Sequence, residues 1–385
     1  MVASDAGAMF LKAVDGSGEY KDKNYIANKI LDVIKDVGAQ NVVQVIIDNA
    51  PVCKAAGSIV EGVHPHIFWK PCVVHTLNLA LKNICDPKNT ESNEAAYSEC
   101  SWISKVVDDA QLIRNFIINH SMRLSMSQQF VNLKLLAVVE TRFASTIIML
   151  KRLRVVKQGL LSMVIDEQWI SYRDDDKHRA IFVKDTISND SWWEKVDYVL
   201  SFTSPIYDML RACDTNQPTL HLVYEKWDSM IEQVKLTIFQ HENKELNQHS
   251  SFYDVVYSIL IDIWTKSNTP LHCLAHSLNP RYYCEQWLEG APNRVTLDMD
   301  NDICMERNKC LRSYFPIAKE RLEAYAEIAK FASVNGELAQ YDCSQHRWDL
   351  EHRDWWVMNK YSNSSHNKKK MMVVQEVSRK LVEAP

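Results

Sequence analysis

Apolar positions change their period along this chain, and the change marks out elements. Val42-Val43-Gln44-Val45-Ile46-Ile47 is mostly β-branched without strict alternation, which predicts a strand buried on both faces. It runs into Asp48 and then Asn49-Ala50-Pro51. A second short apolar run, Met9 to Val14, predicts another strand, ended by Asp15-Gly16-Ser17-Gly18. Between them Ile26, Ile30, Val33, Ile34 and Val37 recur at helical spacing, and Gly38 is placed to cap that helix. The opening therefore predicts strand, helix, strand, the βαβ unit of a parallel pair. An Asp at the carboxyl end of such a strand points into the crevice where open α/β sheets bind ligands. An Asx-type turn and a helix N-cap are the competing readings, and the residue alone favours them.

Beyond Gly57, His64-Pro65-His66-Ile67-Phe68-Trp69 predicts a short extended segment. Leu77, Leu81 and Ile84 then follow at helical spacing, so Cys72 and His75 fall near a helix start. Ile103, Val106, Val107, Ala110, Ile113 and Ile117 predict an amphipathic helix, and Leu133 to Val139 a strand leading into Glu140-Thr141-Arg142-Phe143. From about residue 144 the pattern is helical. Met149, Leu153, Val156, Leu160 and Met163 form one stripe, and Val223, Trp227, Met230, Ile231, Val234 and Ile238 a second. Val256, Ile259, Leu260, Ile263 and Trp264 form a third, and Leu311, Phe315, Ala318 and Leu322 a fourth. These stripes predict a helical core. No repeat of fixed period is present, which argues against a solenoid. Ser362 to Asn367 and Lys368-Lys369-Lys370 predict a poorly packed end. The expected class is a helix-rich α/β protein: a sheet-bearing domain over residues 1–150, a large all-α domain over 151–353, and a tail over 354–385.

Composition narrows the picture. The 385 residues are 46% hydrophobic and 24% charged, which suits one large or two ordinary domains. Only 9 are glycine, against a turn-rich all-β fold. A net charge of −5 supplies no general field for nucleic acid, so any DNA contact needs a local patch. The ten cysteines lack disulfide-scaffold spacing and read as reduced thiols. No Cys-x-x-Cys occurs, which excludes the two-Cys, two-His finger. No apolar run approaches membrane-spanning length.

Several candidate groups remain. Cys72 and His75, with His64 and His66 nearby, are residue types that bind zinc, but a packed cysteine and a locally hydrogen-bonded histidine are the favoured explanation. Lys151, Arg152, Arg154 and Lys157 form the densest basic cluster, either a phosphate-contacting patch or a solvated helix face. Trp192-Trp193 and Trp355-Trp356 are adjacent pairs. On a helix neighbouring rings point apart, so one of each pair is expected at the surface, marking an interface.

In order along the chain, Phe10 to Asp15, Val42 to Asn49 with Ala55-Ala56-Gly57, and Phe68 to Leu79 are followed by Glu140 to Ser145. Ser204-Pro205-Ile206-Tyr207 with Leu210 to Asp214, Ala275 to Tyr282, and Trp355-Trp356 complete the series. With these segments the chain resembles the hAT superfamily of transposases, in particular plant transposase-derived proteins with an uncharacterised ribonuclease-H-like module. The resemblance implies a partial ribonuclease-H-like sheet followed by a large all-α insertion domain. It implies family positions at Asp48, Cys72, His75 and Arg142, and a nuclear location, with the cytoplasm as the alternative. It implies DNA, or a second copy or related transposase-like protein, as partner. In such transposases three carboxylates hold two divalent metals for phosphodiester displacement. Only Asp48 matches a family acid here. The first acid is expected upstream of the segment matching Met9 to Asp15, and the third downstream of Trp355-Trp356. The expectation is therefore a chain truncated at both ends that does not cleave DNA by itself. No cofactor is expected, and Mg²⁺ or Mn²⁺ only if the centre is completed by acids from elsewhere. The alternatives are a metal-dependent nuclease whose acids are supplied, and a helical protein-interaction module.

Overall fold

A computed structural model describes residues 2–4, 7–136, 144–171, 176–215, 219–267, 270–291, 294–333 and 341–359. Its strands are β1 (Val2–Ser4), β2 (Gly7–Met9), β3 (Gln44–Ile47) and β4 (Phe68–Pro71). The helices of the first half are α1 (Lys23–Val37), α2 (Pro51–Val63), α3 (Val73–Cys85), α4 (Glu94–Asn119), α5 (Ser121–Phe130), α6 (Ala144–Val155), α7 (Lys157–Ile165), α8 (Glu167–Ser171), α9 (Lys177–Ile187) and α10 (Asp190–Cys213). Then come α11 (Val223–His241), α12 (Ser251–Ser267), α13 (Pro270–Ser277), α14 (Glu285–Glu289), α15 (Asn301–Tyr314), α16 (Ala318–Ala332), α17 (Tyr341–Asp349) and α18 (His352–Asn359). The protein is a helix-rich α/β chain with a large all-α region. No described helix is long and apolar enough to cross a membrane.

The chain divides into two compact units. Unit 1 holds residues 1–73, 212–228 and 267–385; unit 2 holds 74–211 and 229–266. Each unit joins segments that are distant in sequence.

In unit 1, β3 and β4 run parallel, with Gln44 opposite Phe68 and Ile47 opposite Pro71, and α2 is the crossover between them. The βαβ unit is therefore β3-α2-β4, not the expected strand at Met9–Val14, helix α1 and strand at Val42–Ile47. Met9 instead ends a short antiparallel hairpin with β1, and Phe10 and Val14 lie exposed outside any strand. Helix α1 forms as its spacing predicts. Asp22 caps its start by accepting from the Tyr25 N–H, and Gly38, at φ 90°, ends it with an N–H to the Ile34 carbonyl. Ile34, Val60 and Ile67 form the buried cluster that joins α1 to the βαβ unit. Gly57 lets α2 approach β4: a Cβ there would lie 2.2 Å from Trp69 Cγ. β3 is not buried on both faces. Ile46 is exposed, and among the described residues β3 pairs with β4 alone.

The helical part of unit 1 packs Leu271, Leu274, Leu278, Cys310, Leu311, Ile328 and Phe331 around Trp355 and Trp356. Both tryptophans are buried, which corrects the expectation that one would mark a surface. Phe331 lies 5.7 Å from the Trp355 ring and 5.0 Å from that of Trp356, and the Trp356 indole donates to the Leu278 carbonyl at 3.0 Å. The fourth expected stripe breaks at Phe315-Pro316-Ile317. Leu322 and Ala318 are exposed, and α16 instead buries Ala324, Ile328 and Phe331.

Unit 2 is helical. Its core includes Leu77, Leu81, Ile103, Ile113, Leu150, Leu153, Leu160 and Met163, and an aromatic stack of Trp102 on Tyr198 (5.7 Å) and Tyr198 on His241 (3.5 Å). Trp192 and Trp193 are both buried here too, with the Trp193 indole donating to the Ile187 carbonyl at 2.7 Å. Residues 133–136 are not a strand; the rest of the strand expected at Leu133–Val139 lies outside the described residues, as do Arg142 and the lysine-bearing tail.

Candidate functional site at the carboxyl end of the parallel pair

The ladder between β3 and β4 ends with the Cys72 N–H donating to the Ile47 carbonyl at 3.1 Å. Asp48 and Cys72 are thus the first residues to leave the two parallel strands, side by side in register, at the edge where such sheets present ligand-binding groups. Asp48 is exposed, and its Oδ1 accepts from the Asn49 N–H at 2.6 Å. It is not the N-cap of α2: that place belongs to Ala50, which makes no side-chain cap bond, and Pro51 opens the helix. Cys53, in the first turn of α2, lies close enough for the Asp48 charge to add to the effect of burial in raising its thiol pKa. Burial also pushes the Cys213 thiol up to about 11, with Lys226 opposing and Cys72 reinforcing the shift. Cys53, Cys72, Cys85, Cys100, Cys213, Cys273, Cys284, Cys304 and Cys310 are in no disulfide.

Cys72 immediately precedes α3 and His75 lies in its first turn, as the spacing predicts. His64 and His66 are not brought to them. Both precede β4, at the opposite end of that strand from Cys72, and the His66 ring bonds the Ala39 carbonyl at 3.0 Å. Among the described residues no three His, Cys, Asp or Glu side chains are placed to hold a metal ion. Asp48, which belongs to no group of three such side chains among the described residues, does not fit a pair of divalent ions, which need several anionic oxygens close together.

The basic cluster lies in unit 2, and each member has an intramolecular partner. Arg154 pairs with Asp197 at 2.5 Å and Lys157 with Asp190 at 3.5 Å. Lys151 lies 4.2 Å from the Tyr207 ring centroid, and Arg152 donates to the Lys134 carbonyl at 3.4 Å. Asp15 does form the expected turn, accepting from the Ser17 N–H at 2.8 Å; hydrogen bonding to the Ser17 side chain first, and then to that N–H, lowers its pKa.

The sequence reading missed further ionisable residues of unit 1. Lys70 on β4 is buried, with its Nζ 5.2 Å from the Phe68 ring centroid, and burial brings its pKa down to about 8. Asp228 is exposed, yet partial desolvation and then the charges of Glu225 and Asp300 raise its carboxyl pKa, against the pull of Arg294. His221, His276 and His352 gather in the helical core. Lys70 alone had a local signal, a charge inside an extended apolar segment.

No curated protein matches the chain. Residues 1–113 match a domain of unknown function, DUF659, and this stretch carries Asp48, Cys72 and His75. That match fits a transposase-derived protein.

Proposed function

We propose that this chain derives from an hAT-type transposase and acts by binding, without cutting DNA on its own. The observation that carries the reading is Asp48: it stands at the ligand-presenting end of the parallel pair, yet belongs to no cluster of three metal-ligating groups among the described residues. Protein association is favoured over DNA, because Asp197 and Asp190 offset the charges of Arg154 and Lys157, and the net charge is −5. The edge of β3 that pairs with no strand among the described residues, with Ile46 exposed, is the natural place for another strand to add. A nuclear location accompanies this reading.

The test uses the full chain. DNA is incubated with Mg²⁺ or Mn²⁺ and the purified protein or Asp48→Asn, and mass is measured by size exclusion with and without DNA. The reading expects no metal-dependent cleavage, self-association, and no DNA retention at moderate salt. Cleavage lost in Asp48→Asn would establish the nuclease alternative, and retention of DNA would move the binding role to nucleic acid.

A further inference from the structure

His221 lies in the 3-10 turn Leu220–Leu222, His276 in the last turn of α13 and His352 at the start of α18. Their exposures are 7%, 1% and 3%. The His221 and His352 rings are 4.7 Å apart, and His276 lies 4.9 Å from the Tyr224 ring and 4.1 Å from that of Tyr282. His221 Nδ1, His276 Nδ1 and both ring nitrogens of His352 have no hydrogen-bond partner in the protein. The Leu278 carbonyl lies beside His352 but accepts from the Trp356 indole, and neither His352 nitrogen reaches it in hydrogen-bond geometry.

Buried polar atoms in native proteins are met by protein or by ordered water, because leaving them unmet costs their whole desolvation. A metal ion does not fit, since among the described residues no three potential ligands converge. Water does: it takes two to four polar partners and needs little room.

We propose that bound water meets the unpartnered nitrogens of His221, His276 and His352, and that these buried imidazoles make the contact of α18 with the Leu220–Leu222 turn, where the His221 and His352 rings meet, acid-sensitive. The groups facing the cluster discourage a proton. Arg281, itself held by Glu351 at 3.0 Å, adds positive charge against His221 and His352, and the neutral phenols of Tyr224 and Tyr282 flank His276. Burial is the largest effect, bringing His221 down to about 4 and His276 to about 3, with His352 well below the ordinary value. The folded state thus resists protons that the unfolded chain accepts near pH 6.5. This stabilisation is complete above that pH and falls away as pH drops toward 4. One unit below pH 6.5 each histidine weighs about tenfold on the folding equilibrium, and three together about a thousandfold. Asp228 opposes them, since its raised pKa makes the folded state take up a proton between about 4 and about 7. The test therefore compares variants and not absolute slopes.

Urea unfolding of the full chain, read by tryptophan fluorescence between pH 7.5 and 5.5, would be measured for wild type, His276→Gln, His352→Gln and the exposed control His249→Gln. The proposal expects each core variant to lose about one proton from the pH slope relative to the exposed-histidine control. Magnetisation transfer from water to the core imidazoles is expected in the folded protein at pH 7.5. If a core variant fails to fold, ¹⁵N-imidazole titration of the wild type decides, with the three rings staying neutral to pH 5.5. Wild-type slopes in both core variants, rings titrating near 6.5, or imidazoles without water contact would each overturn the proposal. So would a zinc-dependent rise in the wild-type midpoint that both core variants lose.

Discussion

Substituting Gly57 by alanine tests the packing that positions Asp48. The added Cβ would lie 2.2, 2.3 and 2.7 Å from three carbons of the Trp69 indole. Carbon atoms settle near 3.5 Å, so the helix and the ring must part by about 1.3 Å. Trp69 is tied on both sides: its N–H donates to Glu61 at 2.8 Å, and its strand is paired with β3. Overpacking of this kind costs about 1–3 kcal/mol, and here the upper end applies because the obstacle is a ring on a paired strand. Alanine returns up to about 1 kcal/mol of helix propensity, leaving a net loss of roughly 2 kcal/mol. Gly62 lies on the same helix with nothing within 4 Å of its would-be Cβ, so Gly62→Ala keeps the propensity gain without the clash. Urea denaturation of both variants reads the difference: Gly57→Ala should shift the midpoint down and Gly62→Ala up. A Gly57→Ala protein as stable as wild type would refute the close approach of α2 to β4.

Other substitutions probe the rest of the molecule. Trp355→Ala should cost about 3–5 kcal/mol in thermal unfolding, because the ring is buried against Phe331; a loss under 1 kcal/mol would return it to the surface. A double-mutant cycle on Arg154 and Asp197 should give a coupling of no more than about 1 kcal/mol, since both side chains are about half exposed. Asp228 carries a penalty that grows as pH rises from about 4 to about 7, so Asp228→Asn should be the more stable protein at pH 8, by no more than about 1 kcal/mol because the residue is exposed and water screens its charge. At pH 4 the two should match, and a difference independent of pH would dispose of the raised-carboxyl argument.

Local chemistry was readable in the sequence. Helix α1, with Gly38 at its end, and the placing of Cys72 and His75 at the start of α3 depend on spacing and capping within a few residues. The helix-rich class followed from the same periodicity, and Asp48 at a strand end from one apolar run. Tertiary structure decided which elements meet. Strand pairing is non-local, and β4 joined β3 because α2, with Gly57 against Trp69, could cross over between them. Adjacent tryptophans both became core, since Phe331 covers both rings and the Leu278 carbonyl accepts the Trp356 indole proton. The basic cluster found its counter-charges, Asp190 and Asp197, on a helix separate in sequence. His221, His276 and His352 share no spacing that a local pattern could reveal. Only folding removes them from bulk solvent together, and that shared burial sets their chemistry.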